Sequence, residues 1–161
     1  MVSPPPSQGS PRADRVRLEP LYRATFTTPE SWSVVLEGSS GTEGQSFLIA
    51  EGRCEGRLSA RYRGANFPRT RTDGTLLPDF HGVLETDDGA TIVFSWRGYA
   101  RAGTGGMRQL VGSATHMSDD ERYCWLNDVF GVVSGEVRPV IGGSGFSVVL
   151  DVSELVWEPL D

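Results

Sequence analysis

The stretch DFHGVLETDDGATIVFSWRGYAR, from Asp79 to Arg101, decides the fold. Two runs containing β-branched and aromatic residues flank Thr86-Asp87-Asp88-Gly89-Ala90, the composition of a β-hairpin and its turn. Two registers are open to it. A two-residue loop at Asp88-Gly89 demands positive φ at both positions. It sets His81 across from Trp96 and Glu85 across from Ile92, which mixes polar and apolar side chains on each face. A three-residue loop, Asp87-Asp88-Gly89 with Gly89 in the left-handed conformation, moves the pairing by one residue. Phe80, Gly82 and Leu84 then share a face with Ile92, Phe94 and Trp96. Asp79, His81, Val83 and Glu85 share the other with Thr91, Val93, Ser95 and Arg97. A one-residue slip turns every side chain to the opposite face, so this segregation selects the three-residue loop. Asp79 is thereby placed opposite Arg97, with His81 one step along on the same face.

Working outward, strand-like segments recur at short intervals: Val16 to Thr28, Trp32 to Leu36, Gln45 to Glu51 and Arg57 to Arg63 before the hairpin. Arg108 to Met117, Arg122 to Val133 and Phe146 to Trp157 follow it. In Arg57 to Arg63, Leu58, Ala60 and Tyr62 alternate with polar residues, the period of a strand with one face in water. Asn66-Phe67-Pro68 and Thr72-Asp73-Gly74-Thr75 read as turns. Ser118, with Glu121 three residues later, offers the one helix start, a capping box worth a single turn. Eight to ten antiparallel strands at this spacing imply a sandwich or a closed barrel, and long strands in sequence order favour the barrel, whose closure removes exposed edges. The expectation is one all-β domain over residues 15–161, an antiparallel β-barrel, preceded by a disordered tail over residues 1–14, which are rich in Pro, Ser and Gly.

The 20 glycines and 10 prolines among 161 residues fit many short strands and turns. With a net charge of −6 and basic residues scattered rather than massed, the chain lacks the footprint of a nucleic-acid or anionic-membrane partner. No apolar run approaches the ~18 residues of a membrane span, and the N-terminus lacks a signal-peptide core, so a cytoplasmic protein is expected. Cys54 and Cys124 lie in no CxxC context and are read as free thiols, with a single disulfide as the alternative.

Several pieces together resemble a bacterial family known as domain of unknown function 3237. They are Leu18-Glu19-Pro20-Leu21-Tyr22, Gly52-Arg53-Cys54-Glu55-Gly56-Arg57-Leu58, Arg71-Thr72-Asp73-Gly74-Thr75, Pro78-Asp79-Phe80-His81-Gly82, Glu85 through Ile92, Arg97-Gly98-Tyr99 and Tyr123-Cys124-Trp125-Leu126-Asn127. The resemblance implies a small antiparallel barrel of the lipocalin or allene-oxide-cyclase kind and lends no reaction. Where many members of the family carry a Gly-Gly-Ala-Asp-Trp-like stretch, this chain has Arg63-Gly64-Ala65-Asn66-Phe67-Pro68, with Asn66 in place of an acid.

Proton transfer near neutral pH calls for a group such as histidine, and the chain has two, His81 and His116. Asp79 can orient the imidazole of His81, and Arg97 can neutralise an anion or a developing oxyanion. The competing reading is an exposed face of polar pairs contributing ~0–1 kcal/mol each. Tyr99, Tyr123, Trp125 and Asn127 are candidate ligand-binding residues, the aromatic ones alternatively core. A two-His-one-carboxylate metal triad would need His116 to join Asp79 and His81 on one face; no metal and no cofactor is expected. There is no Gly-x-Ser-x-Gly elbow, and Gly103-Thr104-Gly105-Gly106 reads as a flexible loop. The leading expectation is a cofactor-independent isomerase, cyclase or lyase acting on a hydrophobic metabolite with a polar handle. A binding barrel for the same kind of small molecule is the alternative, and a homodimeric interaction protein is a third reading.

Overall fold

Counted as eight staves, each pairs antiparallel with the one before it, and the last returns to the first. That closure is seen in a computed structural model that describes residues 15–159; the expected tail lies outside them. Ten strands run in order: β1 Val16–Gly38, β2 Gly41–Gly56, β3 Ala60–Asn66, β4 Arg69–Thr70 and β5 Leu76–Leu77, then β6 Asp79–Thr86, β7 Thr91–Ala102, β8 Arg108–Met117, β9 Gly131–Pro139 and β10 Phe146–Trp157. β3 and β4 are one strand interrupted at Phe67-Pro68, and β5 and β6 one strand interrupted at Pro78. The result is an eight-staved up-and-down barrel, with β1 laddered to β10 from Val16 to Thr27 and to β2 from Tyr22 to Gly38. No helix among the described residues is long and apolar enough to cross a membrane.

The hairpin has the register that segregation of its faces selects. Asp79 pairs with Arg97, Phe80 with Trp96 and Gly82 with Phe94. The Gly89 amide donates to the Thr86 carbonyl at 3.0 Å, and Gly89 has φ +92, as a three-residue loop with a left-handed glycine requires. Phe80, Leu84, Ile92, Phe94 and Trp96 are buried inside the barrel. An eight-stranded barrel is narrow enough for side chains to fill, and aromatic rings fill the middle of this one. Phe80 stacks on Trp96 with ring centroids 5.2 Å apart, Phe26 stacks on Tyr62 at 4.7 Å, and the Trp96 indole N–H donates to the Tyr62 hydroxyl at 3.0 Å. Gly98 and Gly112 face each other across β7 and β8. A Cβ on Gly98 would lie 1.9 Å from the Val111 carbonyl oxygen, so this close approach of strands tolerates no side chain.

The two ends of the barrel differ. One is plugged by the loop from Ser118 to Phe130, which seats Leu126 and Val129 in the core. Arg122 to Phe130, expected to begin a strand, belongs to this loop, and the single helical turn falls at Cys124–Asp128 as 3-10 helix. Ser118 does not cap a helix there. Its hydroxyl accepts the Asp120 amide at 3.3 Å in a local turn and donates to the Thr91 carbonyl at 2.9 Å, and its amide donates to Asn127 Oδ1 at 2.8 Å, so it holds the loop to the barrel. Trp32 to Leu36 and Gln45 to Glu51, legible as separate short segments, are parts of the two longest strands, β1 and β2, joined through Ser39-Ser40. Removing the plug should loosen the whole barrel. Leu126→Ala, which empties a fully buried site, is expected to cost about 2–5 kcal/mol in urea-induced unfolding.

Candidate functional site

The candidate residues fall into three places. Asp79, His81 and Arg97 come together as the register requires: Arg97 Nε donates to Asp79 Oδ1 at 2.8 Å, and His81 Nε2 lies 3.0 Å from the same oxygen. The contact with Arg97 holds the Asp79 carboxyl below its ordinary range. The trio stands on the outer wall, with the His81 and Arg97 side chains 56% and 70% exposed. It continues a lattice of exposed ion pairs in which Arg61 and Arg63 each lie between Glu51 and Glu85. Tyr99 also faces outward, beside Arg97, in an open groove.

His116 lies on the other side of the wall. It projects inward from β8, 5% exposed, with Nε2 2.8 Å from the Tyr22 hydroxyl and Nδ1 without a partner. Burial alone pulls its pKa down to about 4 and pushes that of Tyr22 up. The imidazole is therefore neutral at pH 7. The barrel wall separates His116 from Asp79 and His81, so these three cannot converge on one ion, and no group of three or more His, Cys, Asp or Glu suited to a metal occurs among the described residues.

Tyr123, Trp125 and Asn127 hold the plug. The Tyr123 hydroxyl reaches both Asp88 carboxylate oxygens at 2.9 and 3.0 Å, locking the loop to the hairpin turn. Trp125 lies under the Arg57 guanidinium, 4.3 Å from its ring centre, and donates its indole N–H to the Arg122 carbonyl. Asn127 bonds both backbone groups of Ser118. Cys54 is buried, with desolvation pushing its thiol up to about 12, while Cys124 is exposed; both are free.

The other end holds an enclosed, mostly apolar cavity of about 70 Å³ whose walls include Phe26, Leu48, Phe80, Trp96, Leu110 and Val148. Three polar residues border it, Thr28, Asn66 and Arg108. The Thr28 hydroxyl accepts the Phe146 amide at 3.0 Å, and Asn66 Oδ1 accepts the Asp79 amide at 3.0 Å. Arg108 donates from Nη1 to the Gly74 carbonyl at 3.2 Å, which leaves its other N–H groups free. It is the only charged residue on that lining. The open outer groove is larger, about 560 Å³, but it is a dent in the wall and not an enclosure. The cavity contains neither histidine, because the central aromatic rings lie between it and His116: Phe94 contacts His116 on one side, with ring centroids 6.3 Å apart, and Phe80 on the other at 5.6 Å.

Arg108 went unremarked in the sequence. The signal was present: Arg108, Leu110, Gly112, Ala114 and His116 occupy the inward phase of β8, so both ends of that row carry a polar residue.

Fold and cavity together define a small antiparallel β-barrel with an apolar cavity at one end. The chain belongs to the family described as protein of unknown function (DUF3237), whose pattern matches residues 16–155. No curated protein sequence matches it. Among solved structures it is similar to a β-barrel-like protein of Acinetobacter baumannii, at 21% identity and a TM-score of 0.73 over 93% of this chain and 100% of that one. A conserved protein of unknown function from Rhodopseudomonas palustris has 16% identity and a TM-score of 0.70 over 92% and 100%. A Penicillium herquei protein described as an enzyme has 19% identity and a TM-score of 0.61 over 89% and 98%.

The burial of His116 has a measurable consequence. Its folded pKa lies below the ordinary value of 6.5, so the unfolded chain binds the extra proton first and stability falls as pH drops from about 6.5 toward 4. The penalty is about 3 kcal/mol at pH 4. His116→Gln should flatten that part of the pH-stability curve in chemical denaturation; an unchanged curve would refute the assignment.

Proposed function

We propose that the barrel takes up a small, largely apolar molecule through its open end, with an anionic or hydrogen-bond-accepting group directed at Arg108. The observation that carries this reading is an enclosed apolar cavity bordered by a single charged side chain with donors to spare. Apolar walls supply the driving force by removing ligand surface from water, and the guanidinium fixes orientation. About 70 Å³ admits only a few heavy atoms, so a ring or short chain enters and the rest of the ligand lies in the mouth.

Transformation of that ligand without a cofactor is a second reading. It is favoured by the placement of Arg108 at the edge of an apolar cavity, where a cation stabilises developing negative charge on oxygen better than in bulk water. The description of the Penicillium herquei neighbour as an enzyme accords with it. His116 is a poor base for this chemistry, being neutral, weakly basic and walled off by aromatic rings. An isomerase, cyclase or lyase on this scaffold would then use Arg108 and Asn66 in place of a histidine.

Benzoate, phenylacetate and their neutral amides, titrated by calorimetry, test the proposal. The carboxylates should bind, and Arg108→Gln should weaken them roughly ten- to hundredfold, the scale of a lost charge-assisted hydrogen bond. Leu110→Phe, which fills the cavity, should abolish binding of both series. If Leu110→Phe leaves the affinity untouched, the ligand does not sit in the lumen.

A further inference from the structure

Past Thr27, β1 parts from β10 and runs on as an edge arm laid along β2, which itself stays bonded to β3 and β4 as far as Gly44. From Glu30 to Gly38, β1 is bonded to β2 alone, so its other edge has no ladder partner among the described residues. Trp32, Val34, Val35 and Leu36 on this edge are 55%, 67%, 57% and 68% exposed. Trp32, Val34 and Leu36 share the outer face of the arm with Glu30 and, across the ladder, Glu43. No Lys or Arg occurs between Arg23 and Arg53, so every charge on the arm is acidic.

The outer groove on the adjoining wall has the complementary character. Phe67, Leu77, Pro78 and Tyr99 supply apolar surface and Arg69 supplies positive charge, while Arg97 is paired with Asp79, which lines the groove too. Arg101 follows Arg97 and Tyr99 along the outward phase of β7. Among the ion pairs of the described residues, none includes Glu30, Glu43, Arg69 or Arg101. Most other arginines of the barrel are paired, so unpartnered charges of opposite sign gather on two neighbouring patches.

We propose that two copies of this chain associate about a two-fold axis, each laying the outer face of its arm in the groove of the other. A two-fold contact is self-complementary when a patch and its complement lie side by side on one surface, as arm and groove do here. Association takes Trp32, Val34 and Leu36 out of water against Phe67, Leu77 and Tyr99. It brings Glu30 and Glu43 toward Arg69 and Arg101, offsetting the repulsion between two molecules of net charge −6. The inference does not depend on what the lumen binds.

Sedimentation equilibrium on the full chain tests it. A reversible dimer is expected, and Val34→Glu/Leu36→Glu, which alters only exposed positions, should raise the dissociation constant at least tenfold with an unchanged unfolding curve. Arg69→Glu should weaken the dimer, and Glu43→Arg in the same chain should restore it. In a Cys124→Ser background, an equimolar mixture of Leu36→Cys and Tyr99→Cys chains should oxidise to a mixed disulfide dimer. A monomer at every concentration overturns the proposal. So does a mixture that yields Leu36→Cys homodimers and no mixed species, since that would mean edge-to-edge pairing of the arms.

Discussion

Everything in this barrel depends on β10 lying back along β1. The ladder from Val16 to Thr27 against Ser147 to Trp157 turns a meander into a closed wall. An open meander of this length would expose two edges and would have no defined interior; closure gives each residue of a strand one of two fates. Tyr22, Ala24 and Phe26 point into the core because Arg23 and Thr25 point out. The same closure separates His116 from His81. Chemistry that needed both on one ligand is excluded by a wall one strand thick.

The rings across the middle make a second partition. Phe26, Tyr62, Phe80, Phe94 and Trp96 contact one another and fill the waist of the barrel. Below them lies a packed, plugged half containing the Tyr22–His116 pair. Above them lies a half with room to spare. A buried histidine joined to a tyrosine looks catalytic in isolation, yet here it belongs to the half that has no cavity to receive a substrate. Its Nδ1, buried without a partner among the described residues, is a structural cost.

How far this was legible in the sequence follows from the range of the interactions involved. The register of β6 and β7 rests on alternation and a glycine turn within 23 residues, and reads directly. The inward row of that hairpin follows too, because Phe80, Leu84, Phe94 and Trp96 are unambiguous core residues. Nearness in sequence did not disclose where Tyr123, Trp125 and Asn127 sit. They follow His116 closely, but the chain has left the wall by then and turned under the barrel to close it. Nor could alternation reveal that the cavity lies at the Arg108 end, since the cavity is what the other staves of the barrel together leave unfilled. Asn66, noted as a departure from the family pattern, serves first as an acceptor for the Asp79 amide where β5 passes into β6.

Pro68 and Pro78 interrupt their strands at matching heights, one on each side of the small hairpin β4–β5. Neither proline can donate to a ladder, and β5 meets β7 only at Leu76 and Ala100. Most of the wall is stitched by long ladders, but this panel hangs by a handful of bonds at the rim of the lumen. Swinging it outward costs few hydrogen bonds and disturbs little of the packed half below. The barrel thus combines a densely laddered floor with a sparsely bonded panel at the rim, and local opening there would cost far less than unfolding the whole.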